Sequence, residues 1–307
     1  MKLILDTDPG VDDAMTYFYA HAHSAIDLIG ITSVFGNVTV DNAYRNAHWL
    51  TQTTGATADV RRGAETPLQI TPNPPSDYVH GPTGFGDVDI GEVAIPPQDE
   101  TAAAYLVRMA AASPGEITLC AIGPMTNVAR AIQADPAFLD NLKQLVIMGG
   151  SLDAGGNVTT QAEANFWNDP HAAEVVFSTP TETEILVVGL DVTTLISFYQ
   201  ADFDELAAQS PKAGGFLRDI GQFYMRFYEE VTGTYQCYLH DVAAIIAAEQ
   251  PALFTFEDTR LQMVCDGDAI GAMRRSQEPD RPIVRVAMTV QSEAVRTQYK
   301  AVAAQNP

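Results

Sequence analysis

The chain is short of lysine, cysteine and long apolar runs, and each shortage argues against a class of function. Lysine occurs only at Lys2, Lys143, Lys212 and Lys300, and 17 basic against 39 acidic residues leave a formal net charge of −22. A field of that sign repels polyanions, so nucleic acid and anionic membrane are disfavoured as partners and a neutral or cationic small molecule is favoured. The same charge would equally suit a surface adapted to salt. Cys120, Cys237 and Cys265 are scattered. They have no metal-ligand spacing and form no even framework, which fits a reduced, cytoplasmic setting. No run of about 18 apolar residues occurs, so no membrane span is expected. Met1 leads straight into an apolar segment, which leaves no room for a signal peptide. There is no internal repeat and no low-complexity segment.

What is present is a substantial apolar content, 46% of the chain, arranged as short apolar runs alternating with helical patterns. That alternation predicts an α/β fold, and 307 residues fit one large domain spanning 1–307. Buried strands are expected at Lys2–Leu5, Leu28–Phe35, Ile117–Ile122, Leu145–Met148 and Glu184–Gly189. Helices are expected over Val40–Gln52, with Gly55 near the end, and over Glu100–Ala112, Met125–Ala134 and His171–Phe177. Asp191-Val192-Thr193 reads as a further strand end and helix start, and the chain from there to about Val231 reads as largely helical. His240-Asp241 opens a helix running through Ala248, followed by strands near Thr255–Cys265 and Pro282–Gln291. Pro67–Pro97 is dense in turn residues, a connection long enough to serve as a lid or binding loop.

The densest chemistry lies at the start. Asp6, Asp8, Asp12 and Asp13 fall within eight residues, just past the end of the first strand and across the Pro9-Gly10 break. Ligands bind at that rim in open α/β sheets. Carboxylates about 4 Å apart repel by roughly 4 kcal/mol at an effective dielectric near 20. A helix N-terminus relieves about 0.3–1 kcal/mol per acid. A hard cation such as Ca²⁺ or Mg²⁺ would offset far more. The plain alternative is an N-cap followed by first-turn acids. An EF-hand loop from Asp6 fails, because Val11 and Tyr17 stand where glycine and glutamate are required. An aspartate-nucleophile phosphatase would also begin with strand–Asp-x-Asp, but Pro9-Gly10 does not suit that pattern.

Other polar groups stand at strand ends or in loops. Asn37 follows the second strand, where a turn residue is the alternative. His80 lies in a G-x-x-G-x-G loop that follows no strand and is therefore no dinucleotide fingerprint. Asn157, Glu163 and Asn165 follow Met148-Gly149-Gly150 and could converge on sugar hydroxyls; a surface loop is the alternative. Tyr224 and Tyr228 share a helix face, beside Phe223 and Phe227, and such a stripe is commonly core.

Taken together, Asp6–Ala14 (DTDPGVDDA), Gly36-Asn37, His80-Gly81, Ala121–Asn127 (AIGPMTN), the Met148…Asp169-Pro170 block and His240-Asp241 resemble the inosine-uridine preferring nucleoside hydrolases. The resemblance runs from about Leu3 to Ala247. His171 is a departure, since relatives often carry an acid after Asp-Pro. The resemblance implies an open, mostly parallel (Rossmann-like) sheet flanked by helices, with additional helices and short strands in the C-terminal part. It implies a Ca²⁺-dependent N-glycosidase that splits ribonucleosides into ribose and base, as in purine and pyrimidine salvage, and a homodimer or homotetramer. Asp8, Asp13, the Ile122 carbonyl and Asp241 map onto the metal ligands. Asp12, Asn37, His80, Met148, Asn157, Glu163, Asn165 and Asp241 map onto the substrate pocket. Asp8 maps onto the base that deprotonates a water held by the ion, and His240 onto the acid that protonates the leaving base, assisted by Tyr228 and Tyr224. A nucleoside-binding protein without turnover would keep the pocket but lose the acid and base, and both are retained here.

Overall fold

A computed structural model describes residues 1–306. The chain begins β1 (Lys2–Thr7), α1 (Val11–Ala22), β2 (Asp27–Ser33), α2 (Val40–Thr54), β3 (Asp59–Arg62), α3 (Asp77–His80) and α4 (Ala102–Ala112). It continues β4 (Ile117–Ala121), α5 (Thr126–Ala134), β5 (Gln144–Met148), α6 (Ala164–Asn168), α7 (Pro170–Ser178), β6 (Glu184–Val188) and α8 (Leu190–Thr193). Then come β7 (Ser197–Tyr199), α9 (Gln200–Gln209), α10 (Ala213–Thr232), β8 (Gln236–Tyr238) and α11 (His240–Glu249). The end comprises β9 (Phe254–Thr259), β10 (Leu261–Met263), β11 (Met273–Arg275), β12 (Val284–Val290) and α12 (Ser292–Ala303).

Eight strands form one sheet in the order β3-β2-β1-β4-β5-β6-β12-β9, and only β9 runs antiparallel to its neighbour. Successive side chains point to opposite faces of a strand, and both faces here are apolar. Leu3 and Leu5 pack with Val146 and Met148 against α1, α10 and α11, whereas Ile4 packs with Leu119, Leu145 and Ile147 against α4, α5 and α7. Burial on both sides explains why the central strands read as unbroken apolar runs. The α/β architecture, the central strands and most helices match the sequence expectation. So does the end of α2, where Gly55 adopts a left-handed conformation (φ 70°).

The largely helical stretch from Thr193 to Val231 is present as α9 and α10, interrupted by the short β7, which pairs with β8. Two expectations are corrected. Thr255–Cys265 is not one strand: β9 pairs with β12, and β10 pairs with β11 in a separate two-stranded sheet. The first strand extends past Leu5 to Thr7, so Asp6 belongs to the strand. Polar β3, with Val60 as its one buried side chain, and the short β8 and β11 carry little pattern from which to be read. By contrast α12 does carry a signal, since Val295, Tyr299 and Val302 are buried at helical spacing. Among the described residues no helix is long and apolar enough to cross a membrane.

Candidate active site

From β1 the strand order runs outward to β2 and β3 on one side and to β4, β5 and β6 on the other. Connections that leave a parallel sheet in opposite directions open a crevice beyond the strands' C-terminal ends. Asp8 lies just past β1 and Ile122 just past β4, on the two sides of that divide. A cavity of about 350 Å³ opens there, lined by Asp12, Asn37, His80, Ile122, Met148, Asn157, Glu163, Asn165, Tyr224, Tyr228, His240 and Asp241, among others. Every residue assigned to the site from sequence reaches its wall except Asp8 and Asp13. Those two are buried beneath it.

The acids are held by a dense set of donors. Thr7 Oγ1 (2.5 Å) and the Asp8 amide (3.3 Å) donate to Asp13 Oδ1. The Gly10 amide (2.9 Å) and Asn37 Nδ2 (3.0 Å) donate to Oδ2. Asp8 Oδ2 accepts from the Asn37 amide at 2.6 Å. Two glycines admit this close packing. A Cβ on Gly36 would lie 2.0 Å from Asp8 Oδ2, and one on Gly123 would lie 2.7 Å from Oδ1. Asn37 thus does more than turn the chain: it ties Asp8 to Asp13.

Three carboxylate oxygens are buried without a hydrogen-bond partner: Asp8 Oδ1 and Asp12 Oδ1 in the acid cluster, and Asp6 Oδ2 on β1. Oxygens of Asp12, Asp13 and Asp241 lie within 4.8 Å of one another. Buried polar atoms are rarely left unpaired. Three mutually close acids together with orphaned oxygens form an all-oxygen donor set that fits a hard divalent cation. The tight trio contains Asp12, which the resemblance assigns to substrate, and does not contain Asp8, which the resemblance assigns to the metal. Asp6 has a different role. Thr32 Oγ1 (2.5 Å) and Asn127 Nδ2 (2.7 Å) donate to it within the sheet, and it does not line the cavity, which rules it out as a phosphatase nucleophile.

On the sugar side the loop residues do converge. Asn165 Nδ2 donates to the carbonyls of Ile122 (2.9 Å) and Met148 (3.1 Å), bridging the ends of β4 and β5. Glu163 caps α6: it accepts from the amides of Asn165 (2.8 Å), Phe166 (3.2 Å) and Gly150 (2.8 Å). Asn157 Oδ1 accepts from the Ala164 amide at 3.1 Å. Each of these side chains therefore supports backbone as well as facing the cavity.

On the opposite wall the aromatic stripe joins the site through its hydroxyls. Tyr224 donates to Asp12 Oδ2 (3.1 Å) and lies 3.5 Å from the Tyr228 hydroxyl, which lies 2.8 Å from His240 Nε2. His240 Nδ1 lies 2.7 Å from Thr193 Oγ1. One hydrogen-bond chain thus runs from Asp12 to Thr193. His80 Nδ1 accepts from the Val11 amide (3.2 Å), so its ring proton sits on Nε2. Its ring stacks on Tyr224, with centroids 5.2 Å apart.

Sequence reasoning missed Thr193, Tyr238, Tyr78, Phe227 and Val158 as members of the site. In the sequence Thr193 reads only as part of a strand end and helix start, and Phe227 only as part of the aromatic stripe. Asp169, noted as half of Asp-Pro, caps α7 through the Ala172 amide (3.0 Å). It also accepts from Thr126 Oγ1 (2.7 Å) and the Leu68 amide (2.9 Å).

Burial dominates the proton affinities. It pushes Asp12 and Asp13 up to about 6 and Asp6 and Glu163 up to about 7. Burial and the neighbouring acids raise Asp8 and Asp241 well above the usual carboxylate value. Burial lowers His80 to about 4, and burial with the nearby His80 lowers His240 to about 3, so both rings are neutral near pH 7.

The family model described as inosine-uridine preferring nucleoside hydrolase matches residues 3–297. A probable uridine nucleosidase 1 of Oryza sativa subsp. japonica is 38% identical over 274 residues, covering 88% of this chain and 84% of that protein. The solved plant nucleoside hydrolase PpNRh1 superposes with a TM-score of 0.92 at 33% identity, covering 100% of this chain and 99% of that one. A purine-preferring ribonucleoside hydrolase from Gardnerella vaginalis superposes with a TM-score of 0.93 at 30% identity, covering 99% and 98%.

A stability prediction follows from the raised carboxyls. A group whose folded pKa exceeds its unfolded value stabilises fully below the unfolded pKa and loses that contribution as pH rises through the folded pKa. For Asp6, Asp12, Asp13 and Glu163 the window is about pH 4 to 7, and for Asp8 and Asp241 it extends higher. Neutral His80 and His240 act in the opposite sense below about pH 6.5, but they are two against six. In chelator the melting temperature should fall from pH 5 to pH 8, and added Ca²⁺ should raise it more at pH 8 than at pH 5. A Ca²⁺ effect independent of pH would contradict a site in which ion and protons compete.

Proposed function

Because the chain belongs to the inosine-uridine preferring nucleoside hydrolases, we propose that it is a Ca²⁺-dependent N-glycosidase. Its products are ribose and a free purine or pyrimidine base. The observation that carries this reading is the pairing, across one cavity, of an acid cluster with orphaned oxygens and a hydroxyl–imidazole chain. Asp8, Asp13, the Ile122 carbonyl and Asp241 would hold the ion, with Asp12 near enough to share it. When bound, Ca²⁺ supplies positive charge that orients the ribose diol and makes water more acidic.

The chain's own residues do the rest. Asp12 takes the 2′-hydroxyl, while Asn157, Glu163 and Asn165 position the 3′- and 5′-hydroxyl side, with Met148 against the sugar. Asn37 holds Asp8 in place. Asp8 removes a proton from the attacking water as general base. Cleavage builds positive charge on the ribosyl ring, as in glycoside hydrolysis. The fixed carboxylates beneath the sugar stabilise that charge as it develops.

The base departs toward His80, Tyr224, Tyr228 and His240. At rest His240 is neutral. Negative charge building on the leaving base raises the ring's proton affinity. The departing base takes its proton from His240 as the bond breaks, the Tyr224 and Tyr228 hydroxyls relay a replacement proton from solvent to the ring, and Asp8 returns the water's proton to solvent. His80 Nε2 offers a further donor to the base.

Two variants separate these roles. Asp8→Asn should reduce turnover by about 10²-fold or more, with the circular-dichroism spectrum unchanged; near wild-type turnover would remove Asp8 as the base. His240→Ala should lose about 10²–10⁴-fold with inosine but far less with p-nitrophenyl riboside, whose leaving group needs no proton. Equal losses on the two substrates would remove the acid role.

A further inference from the structure

Loop 151–162 brings Gly156, Asn157 and Val158 to the cavity wall. Its hydrogen bonds near the tip are local: the amides of Asn157 and Val158 donate to the Ala162 carbonyl, that of Gly156 to Thr160, and that of Ala164 to Asn157 Oδ1, which ties the tip to the 162–164 flank. The tip therefore depends on what anchors the loop's flanks. One flank is the Ala162–Ala272 bridge beside β11, supported by Arg274 Nη2 donating to Gln161 Oε1 at 3.1 Å.

The other flank is held by one carboxylate from within and one guanidinium from outside. Asp191, in the first turn of α8, accepts from three successive amides, those of Leu152 (2.8 Å), Asp153 (2.7 Å) and Ala154 (2.9 Å). Three consecutive N–H groups converging on an anion form a concave, charge-assisted grip. Arg275 locks the same turn from outside. Its guanidinium donates in a fork to Asp153 (3.0 Å twice) and to Glu257 (2.7 and 2.8 Å). Asp191 does not touch the cavity.

We propose that Asp191 is a positioning residue for recognition of the ribose 5′-hydroxymethyl group. It fixes the turn at 152–154 and thereby sets where Asn157 stands. This rests on the nucleoside-hydrolase reading and adds a residue to it. Preorganisation of this kind is spent on binding, so its loss raises KM for substrates that carry the group and leaves kcat little changed. A contact made only for general stability would affect substrates with and without the 5′-hydroxyl alike.

The experiment compares the wild-type chain with Asp191→Ala, Asp191→Asn and Arg275→Ala. It measures KM and kcat for the best-cleaved ribonucleoside and its 5′-deoxy counterpart, and amide exchange over residues 152–158. Asp191→Ala should raise KM for the ribonucleoside about tenfold, with kcat within about threefold, and leave KM for the 5′-deoxy substrate unchanged. Exchange at 152–154 should accelerate, and Asp191→Asn, which keeps one acceptor oxygen, should fall between. If Asp191→Ala does not fold, Arg275→Ala should show the same selective rise at smaller size. Equal KM changes on both substrates, or unaltered exchange, overturn the proposal. Wild-type protein that releases no ribose from any nucleoside overturns the hydrolase reading, and this proposal with it.

Discussion

Four carboxylates, Asp8, Asp12, Asp13 and Asp241, are buried against one another at the rim of the sheet, and the rest of the site is arranged around the cost of that crowding. Burial favours the protonated form of all four, and repulsion from neighbouring acids adds to it for Asp8, Asp13 and Asp241. Part of the cost is met by donors: two side-chain and two backbone groups on Asp13, the Asn37 amide on Asp8 and the Tyr224 hydroxyl on Asp12. The orphaned oxygens of Asp8 and Asp12 are the part left over. A cation would complete what the protein leaves unfinished.

The two halves of the proposed reaction are coupled through that cluster. Asp12 lies in the acid group and also accepts the hydroxyl of Tyr224, so it links the sugar side to the chain that leads through Tyr228 and His240 to Thr193. The sheet order makes the meeting possible. It sets the ends of β1 and β4 beside each other at the point where the winding reverses, and α10 and α11 close the cavity from the opposite side. The 350 Å³ enclosed lies within the range of small-molecule sites.

Local chemistry was the most legible in the sequence. Asp8, Asp12 and Asp13 span the turn after β1 and the first turn of α1, so their order alone reveals their proximity, and the central strands declare themselves by burial on both faces. Thr193 was not legible: its bond to His240 spans 47 residues, and a threonine at a strand end has many ordinary uses. Tyr78, Tyr238 and Phe227 reach the cavity for tertiary reasons that no spacing records. Glu163 was legible in part. The resemblance pointed to ribose, and the structure adds a helix cap: the carboxylate lines the cavity and is also engaged by three backbone amides. The short strands β3, β8 and β11 escaped because three or four residues carry too little periodicity.

The most direct test is ribose release from inosine, uridine, cytidine, adenosine and guanosine, each measured with and without a strong calcium chelator. Relatives with the same fold carry names for both uridine and purine nucleosides, so the panel spans both. The account predicts ribose from at least one nucleoside, abolished by chelation and restored by Ca²⁺. Release indifferent to chelation would contradict the ion's place in the acid cluster. No release from any nucleoside, with Ca²⁺ present, would contradict the reaction itself.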